Sequence, residues 1–294
     1  MQDLSVMLCT KGKWGEFPDE GRYLFEVKLD GIRCLAVVGE NPKLVGRSGE
    51  DYTGAFPEIT EELRRIRHRC ILDGELCSSR SWSFQDIAGR VHLRDRLKIS
   101  LAARVNPATY WVFDLIHLDG QSLEDLPLTE RKRRLESLLK EAAPGRIQLV
   151  TPSPLGILRE AAEEGLIEGL VAKARDSPYR HERSPYWIKF RPRETEDAKI
   201  IGYETSDKPD RPFRSLILLG RKGEFQAASG LSQEDLRVCW NLFQSLGVAR
   251  VVSEAGREKR YFAEPAGEAE IEMAQAPGIP VRFPRVLRVK LDRR

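Results

Sequence analysis

Residues 26 to 33 read Glu-Val-Lys-Leu-Asp-Gly-Ile-Arg, which sets an amine, a carboxylate and a guanidinium around a glycine between β-prone runs at 23–27 and 34–38. The pattern predicts a strand, a reversal through Gly31 and a returning strand, because glycine supplies the backbone freedom of a tight turn. Lys28 then stands at a strand end facing a cleft. A lysine bonds to phosphorus only as the neutral amine, so neighbouring cations, a metal or desolvation must lower its pKa. Arg33 and a bound metal are expected to do so. A solvated surface turn can also read Lys-x-Asp-Gly, so the chemistry depends on partners elsewhere in the chain.

A chain of 294 residues with 41% hydrophobic and 32% charged residues can bury a substantial core, and its length suits two domains. No run is apolar enough to span a bilayer, and Met1-Gln2-Asp3-Leu4 lacks the features of a signal region, so the protein is expected in the cytoplasm, off the membrane. Cys9, Cys34, Cys70, Cys77 and Cys239 contain no C-x-x-C pair, which argues against a zinc ribbon or redox dithiol and for reduced, mostly buried thiols. Cys70 and Cys77 are expected to flank a strand and turn. Net charge is only +3, but segments 175–193 and 282–294 are strongly basic and carry Tyr179, Tyr186, Trp187, Phe190 and Phe283. Such segments suit a surface tracking a phosphate backbone, or simply a solubilising face.

Strand-like runs at 24–27, 35–38, 71–72, 111–116, 169–172 and 187–190 alternate with helical stretches at 57–67 and 155–164, which predicts an α+β domain over residues 1–193. Thr129 reads as the N-cap of a helix carrying Leu135, Leu138, Leu139 and Ala142, and Ser83 as the cap of another. Residues 191–197 are charged, interrupted by proline and without periodicity, so the boundary is expected there. In residues 194–294, five strand candidates (199–203, 215–219, 225–228, 269–273 and 286–291) and one helix capped by Ser232 match a five-stranded Greek-key OB-fold barrel.

Five further motifs sit on or beside these strands: Gly46-Arg47-Ser48-Gly49, Leu72-Asp73-Gly74-Glu75, Trp111-Val112-Phe113-Asp114, Glu168-Gly169 with Lys173, and Trp187-Ile188-Lys189-Phe190-Arg191. Alternation puts Trp111 with Phe113, and Lys189 with Arg191, on common faces. Each alone suits a surface or core role. A nucleotide attacked at its α-phosphate needs a nucleophile, a base platform, a ribose acceptor, metal-holding carboxylates and cations facing the phosphates, and this ordered set offers a candidate for each.

The order of these six motifs resembles that of the covalent nucleotidyltransferases, specifically the ATP-dependent DNA ligases, over nearly the whole chain. Residues 23–33 and 45–59 most resemble the ligase module of prokaryotic end-joining ligases. The resemblance implies a nucleotidyltransferase (adenylation) domain of mixed antiparallel sheets and helices before the barrel, with Lys28 as the adenylated residue. It further implies that Arg33 and Glu75 contact the ribose, Phe113 stacks on adenine, Glu26 recognises the adenine amino group and Arg47 holds the 5′-phosphate at the nick. Glu168 would bind magnesium or manganese with Asp30 or Glu75, while Lys173, Lys189 and Arg191 stabilise phosphate charge. Lys290-Leu291-Asp292-Arg293 stands where the family has a basic-x-Asp-basic element orienting pyrophosphate, usually from arginine to lysine; both basic identities are exchanged here, and Arg191 stands where lysine is usual.

The implied reaction has three displacements at phosphorus. Lys28 attacks ATP, the adenylate passes to a 5′-phosphate, and a 3′-hydroxyl expels AMP. Expected partners are nicked or broken double-stranded DNA at the nucleoid, with an end-joining polymerase and a DNA-end-binding protein; the enzyme is expected as a monomer. Few residues precede Lys28, so no helical DNA-clamping domain is expected there and grip on DNA would be partial or borrowed. RNA ligase, guanylyltransferase and a non-catalytic nucleic-acid-binding protein on the same scaffold are the rival readings.

Overall fold

Strands buried at nearly every position, and so packed from both faces, organise the first part of the chain. The computed structural model describes residues 5–81, 83–143, 145–254, 256–276 and 279–292, and the chain divides into two units, Met1–Arg191 and Pro192–Arg294. The first contains, in order, β1 (Leu8–Lys11), β2 (Tyr23–Val27), β3 (Ile32–Val38), β4 (Lys43–Gly46), α1 (Pro57–Leu63), β5 (Cys70–Ser78), α2 (Phe84–Ala88), α3 (Arg96–Val105), β6 (Ala108–Leu118), β7 (Gln121–Ser122), α4 (Leu128–Ala142), β8 (Ile147–Leu149), α5 (Leu155–Glu163), β9 (Leu170–Ala174) and β10 (Arg183–Phe190).

These strands form two sheets, one ordered β1-β10-β9-β2 and the other β4-β3-β5-β6-β7 with β8 beside β6. Leu35, Ile71, Phe113 and Ile116 of the second sheet share a core with Trp187 and Tyr179. The remaining face of that sheet packs on Phe56, Ile59, Leu135 and Leu138 around α1 and α4, while Leu158 of α5 joins Phe25, Leu170 and Phe190 of the first sheet. Burying one such side chain contributes roughly 1.5–3 kcal/mol. The core shared between the sheets is therefore a main force joining them.

Several local expectations change. β2 and β3 belong to different sheets, so the chain crosses between sheets at Gly31 and does not return as a hairpin. Gly31 is needed for close approach: a Cβ there would lie 2.3 Å from the Leu76 carbonyl oxygen and 2.7 Å from Cys77 Sγ. β5 is a nine-residue strand, and Cys70 and Cys77 both lie inside it. Its Gly74, easily read as punctuation, sits at an irregularity in the β5–β6 pairing. The α4 helix begins after Pro127, not at Thr129, because the Pro127 carbonyl accepts the first helical N–H groups from Glu130 and Arg131. The Thr129 N–H instead donates to Arg175 O at 3.1 Å, a partner that only tertiary structure supplies. The caps at Ser83 and Ser232 form as expected, the latter as a capping box with Asp235.

The second unit runs β11 (Arg193–Thr205), β12 (Phe213–Gly220), β13 (Gly223–Ala227), α6 (Gln233–Ser245), β14 (Val248–Glu254), β15 (Arg257–Phe262), β16 (Gly267–Ala276) and β17 (Ile279–Leu291). Residues 193–197, expected to be an aperiodic linker, begin the long strand β11 and pair with β16; Arg193, Thr195 and Asp197 are exposed, while the buried Glu196 is paired with Arg221. Two strands, β14 and β15, add to the five expected; β14 is mostly exposed and β15 is charge-rich and half-buried, so neither shows an apolar alternation. Among the described residues the sheet orders β13-β12-β11-β15-β14, with β16 joining β11 to β17. Val286 N–H donates to Ser229 O at 2.9 Å, so β17 curls back toward the end of β13 as a half-barrel consistent with an OB-fold. Ile200, Phe213, Leu216 and Ile271 form its core, and Phe243 of α6 stacks on Tyr203 with ring centroids 5.4 Å apart.

A Cβ at Gly74 would meet the Trp111 carbonyl oxygen at 2.5 Å and the Tyr110 ring at 2.7 Å, whereas at Gly156 in α5 it meets nothing within 4 Å. Gly74→Ala is expected to lower stability by about 1–3 kcal/mol and Gly156→Ala to raise it by about 0.4–1 kcal/mol. Urea unfolding of both variants checks the pair of opposite signs.

Candidate active site

Strands from both sheets of the first unit deliver polar side chains to one cavity of about 270 Å³. Lys28 follows the last residue of β2, and its backbone N–H donates to Gly169 O at 2.9 Å, tying it to the start of β9. Its Nζ contacts the carboxylate of Glu168 and lies 3.3 Å from Leu29 O. Glu168 is almost fully buried, and its second oxygen is 2.6 Å from Arg191 Nη2. The amine of one strand end and the guanidinium of another thus converge on a single carboxylate.

Arg33 and Glu75 stand opposite each other on β3 and β5, so both side chains face the same way. Arg33 forks onto Asp73 at 2.6 and 2.7 Å, and its guanidinium lies 4.5 Å from the centroid of Phe113. Asp73 is wholly buried and also accepts from Tyr179 Oη at 2.7 Å. Burial raises the Glu75 carboxyl from 4.5 to about 7, although Arg33 and Lys28 pull the other way.

Phe113 meets Trp187 edge to face, with centroids 6.0 Å apart, and Lys173 Nζ lies 4.2 Å from each ring centroid. Burial pulls Lys173 below the usual lysine range, against the attraction of Glu26, whose Oε2 is 2.7 Å away. Glu26 is itself buried and its other oxygen is paired with Lys132 of α4. Lys189 is also depressed, first by burial and then by Arg191. Arg47 occupies an exposed turn after β4, closed by Gly49 N–H to Gly46 O at 3.0 Å.

Nine of the residues expected from sequence therefore line one cavity: Glu26, Lys28, Arg33, Arg47, Glu75, Phe113, Lys173, Lys189 and Arg191. Glu168 and Asp30 are not in that lining; Asp30 instead accepts the Phe84 N–H at 3.1 Å at the start of α2. Among the described residues no three His, Cys, Asp or Glu side chains gather in a group that could hold a metal ion by themselves. Lys290 and Asp292 lie at the end of the second unit, where Lys290 Nζ is 3.5 Å from Asp197 Oδ1, and Arg293 lies outside the described residues.

Residue patterns did not reveal Lys132, Arg183 or the partnering of Asp73 with Tyr179. Lys132 sits in a highly charged helix, where nothing local distinguishes it from its solvated neighbours. Seven basic and two acidic side chains line the cavity among the described residues, beside two aromatic rings. Such a surface suits a flat ring joined to several phosphates.

A family model described as "ATP dependent DNA ligase domain" matches residues 16–191. A probable DNA ligase from Beutenbergia cavernae is 31% identical over 283 residues, covering 91% of this chain and 54% of the relative. The Pseudomonas aeruginosa multifunctional non-homologous end joining protein LigD is 32% identical over 210 residues, covering 70% of this chain and 24% of its own length. The chain spans about half the length of curated DNA ligases that it matches. The ligase domain of M. tuberculosis LigD shares the fold with a TM-score of 0.55 at 22% identity, covering 97% of this chain and 94% of that one. A Lig E DNA ligase, from a study of DNA binding with a minimal scaffold, does so at 0.67 and 18%, covering 97% and 99%.

A carboxyl whose folded pKa exceeds its unfolded value holds an extra proton in the folded state between the two, so folding stability declines as pH rises through that window. For Glu75 the window runs from 4.5 to about 7. Glu75→Gln is expected to lose less stability than the parent between about pH 5 and pH 8 in metal-free urea unfolding. Equal losses in the two proteins would contradict the assignment.

Proposed function

The chain belongs to the ATP-dependent DNA ligase domain family, and from that premise we propose that it is a DNA ligase that joins 5′-phosphate and 3′-hydroxyl ends at nicks through a lysyl-adenylate on Lys28. The observation that carries this reading is the contact of Lys28 Nζ with the buried Glu168 carboxylate at the edge of a cavity rich in cations and containing two aromatic rings. Lys28 Nζ forms the bond to the α-phosphorus as pyrophosphate leaves, and Glu168 is within reach of the proton that the amine must release. Phe113 supports the adenine ring, Glu26 accepts its amino group, and Arg33 with Glu75 faces the ribose. Lys173, Lys189 and Arg191 offset the charge that gathers on the phosphate oxygens. Arg47, exposed at the cavity, is suited to hold the 5′-phosphate of the nick.

A divalent metal fits this donor set. Glu75 and Glu168 both interact electrostatically with the region of Lys28, and magnesium is commonly held by one or two carboxylates together with phosphate oxygens and water. Glu168 and Glu75 would hold magnesium or manganese, with Asp30 nearby in sequence but engaged at α2; the metal would supply charge neutralisation at the phosphates. In the second unit, Lys290, Asp292 and Arg293 form the element proposed to orient pyrophosphate. The likeness to part of an end-joining protein supports a role on broken double-stranded DNA alongside a polymerase and an end-binding protein; the chain is proposed to act there as a monomer at the nucleoid.

Incubation with labelled ATP and magnesium is expected to yield a protein–AMP adduct that Lys28→Ala abolishes, together with sealing of a nicked duplex. An adduct that persists in Lys28→Ala, or forms as readily with GTP, would overturn the reading.

A further inference from the structure

We infer that Lys132, which is not among the residues lining the cavity, is a positioning residue that sets nucleobase selection through Glu26; this rests on the proposed adenylation reaction. Lys132 lies on α4 and is only 8% exposed. Its Nζ donates to Val150 O at 3.1 Å and pairs with Oε1 of Glu26. Oε2 of the same carboxylate is 2.7 Å from Lys173 Nζ. Glu26 is thus gripped from the cavity side by Lys173 and from the helix side by Lys132. The preceding residue of α4, Arg131, grips Asp114 at 2.8 Å through both Nε and Nη2, immediately after Phe113. One turn of α4 therefore anchors both β2, which carries Glu26, and β6, which carries the ring platform.

The hydrogen-bonding character and orientation of Glu26 decide what it can recognise. An ionised carboxylate only accepts hydrogen bonds, whereas a carboxylic acid also donates one. At the same ring position adenine offers an amino donor and guanine a carbonyl acceptor. An acceptor-only Glu26 takes the first and repels the second. Released by Lys132, the Glu26 carboxylate can turn out of the plane in which it meets the base edge, and it then no longer tells the two bases apart. Lys173 already lies against the Phe113 and Trp187 rings. Lys132 is the second cation on Glu26, and together with Lys173 it fixes the plane of the carboxylate.

The test is single-turnover adduct formation with ATP and with GTP. In Lys132→Met the preference for ATP over GTP in kcat/KM is expected to fall by about tenfold or more, chiefly through a higher KM for ATP with kcat little changed. Lys132→Arg is expected to keep the preference. Lys132→Gln, whose amide retains a donor for the Val150 carbonyl, is expected to lose it and decides the matter if the methionine variant does not fold. An unchanged ATP-to-GTP ratio in the folded Met or Gln variant overturns the inference, as does a loss of kcat with the ratio preserved, which is the mark of a purely structural ion pair. Absence of any adduct in the unmodified protein would instead sink the proposed function.

Discussion

The site depends on one buried carboxylate. Asp73 has no solvent contact, yet it receives both arms of Arg33 from β3 and the hydroxyl of Tyr179, which packs in the core shared by the two sheets. Tyr179 Oη in turn accepts the Met7 N–H at 3.0 Å, and the Met7 carbonyl accepts from Arg33 Nη2 at 3.2 Å, so the polar groups close on themselves. Such a cluster need not exceed well-packed apolar residues in net stability, but leaving one partner unpaired costs about 3–5 kcal/mol. It therefore opposes other arrangements of the sheets, and with them other shapes of the cavity.

The same logic recurs around the cleft. Two like charges about 4 Å apart repel by roughly 4 kcal/mol at the effective dielectric near a protein surface, so clustered cations need internal anions. Glu168 receives Lys28 and Arg191, Glu26 receives Lys132 and Lys173, and Asp114 receives Arg131. These pairings hold each cation in place while leaving basic side chains in excess along the cavity. The excess is what a polyphosphate would neutralise. A site organised in this way is set before its substrate arrives, which is how positioning lowers a barrier in phosphoryl chemistry.

Part of this was legible in residue order because several of the cavity's cations sit at or beside strand ends, where a short motif fixes the local geometry. Lys28 beyond β2, Arg47 in a glycine-framed turn and the alternating pair Lys189 and Arg191 needed only local rules. Less legible were features decided by distant groups. Gly31 was read as a turn because glycine commonly makes one, but its role depends on the Leu76 carbonyl, 45 positions along the chain. β14 escaped notice because it is mostly exposed and β15 because its half-buried residues are largely charged, so neither leaves an apolar alternation to detect; α3 does carry Leu97, Leu101 and Val105 at helical spacing, but all three are exposed.

The amino-acid sequence by itself determined the inventory of chemical groups and the order in which strands present them, since side-chain direction along a strand follows from a two-residue period. Tertiary structure alone decided which charges share a carboxylate: Lys132 and Arg134 are near neighbours in one charged helix, yet the first is enclosed against Glu26 and the second pairs with Glu130 at the surface. The reason is that burial and pairing depend on what packs across from a residue, and that partner comes from a remote part of the chain.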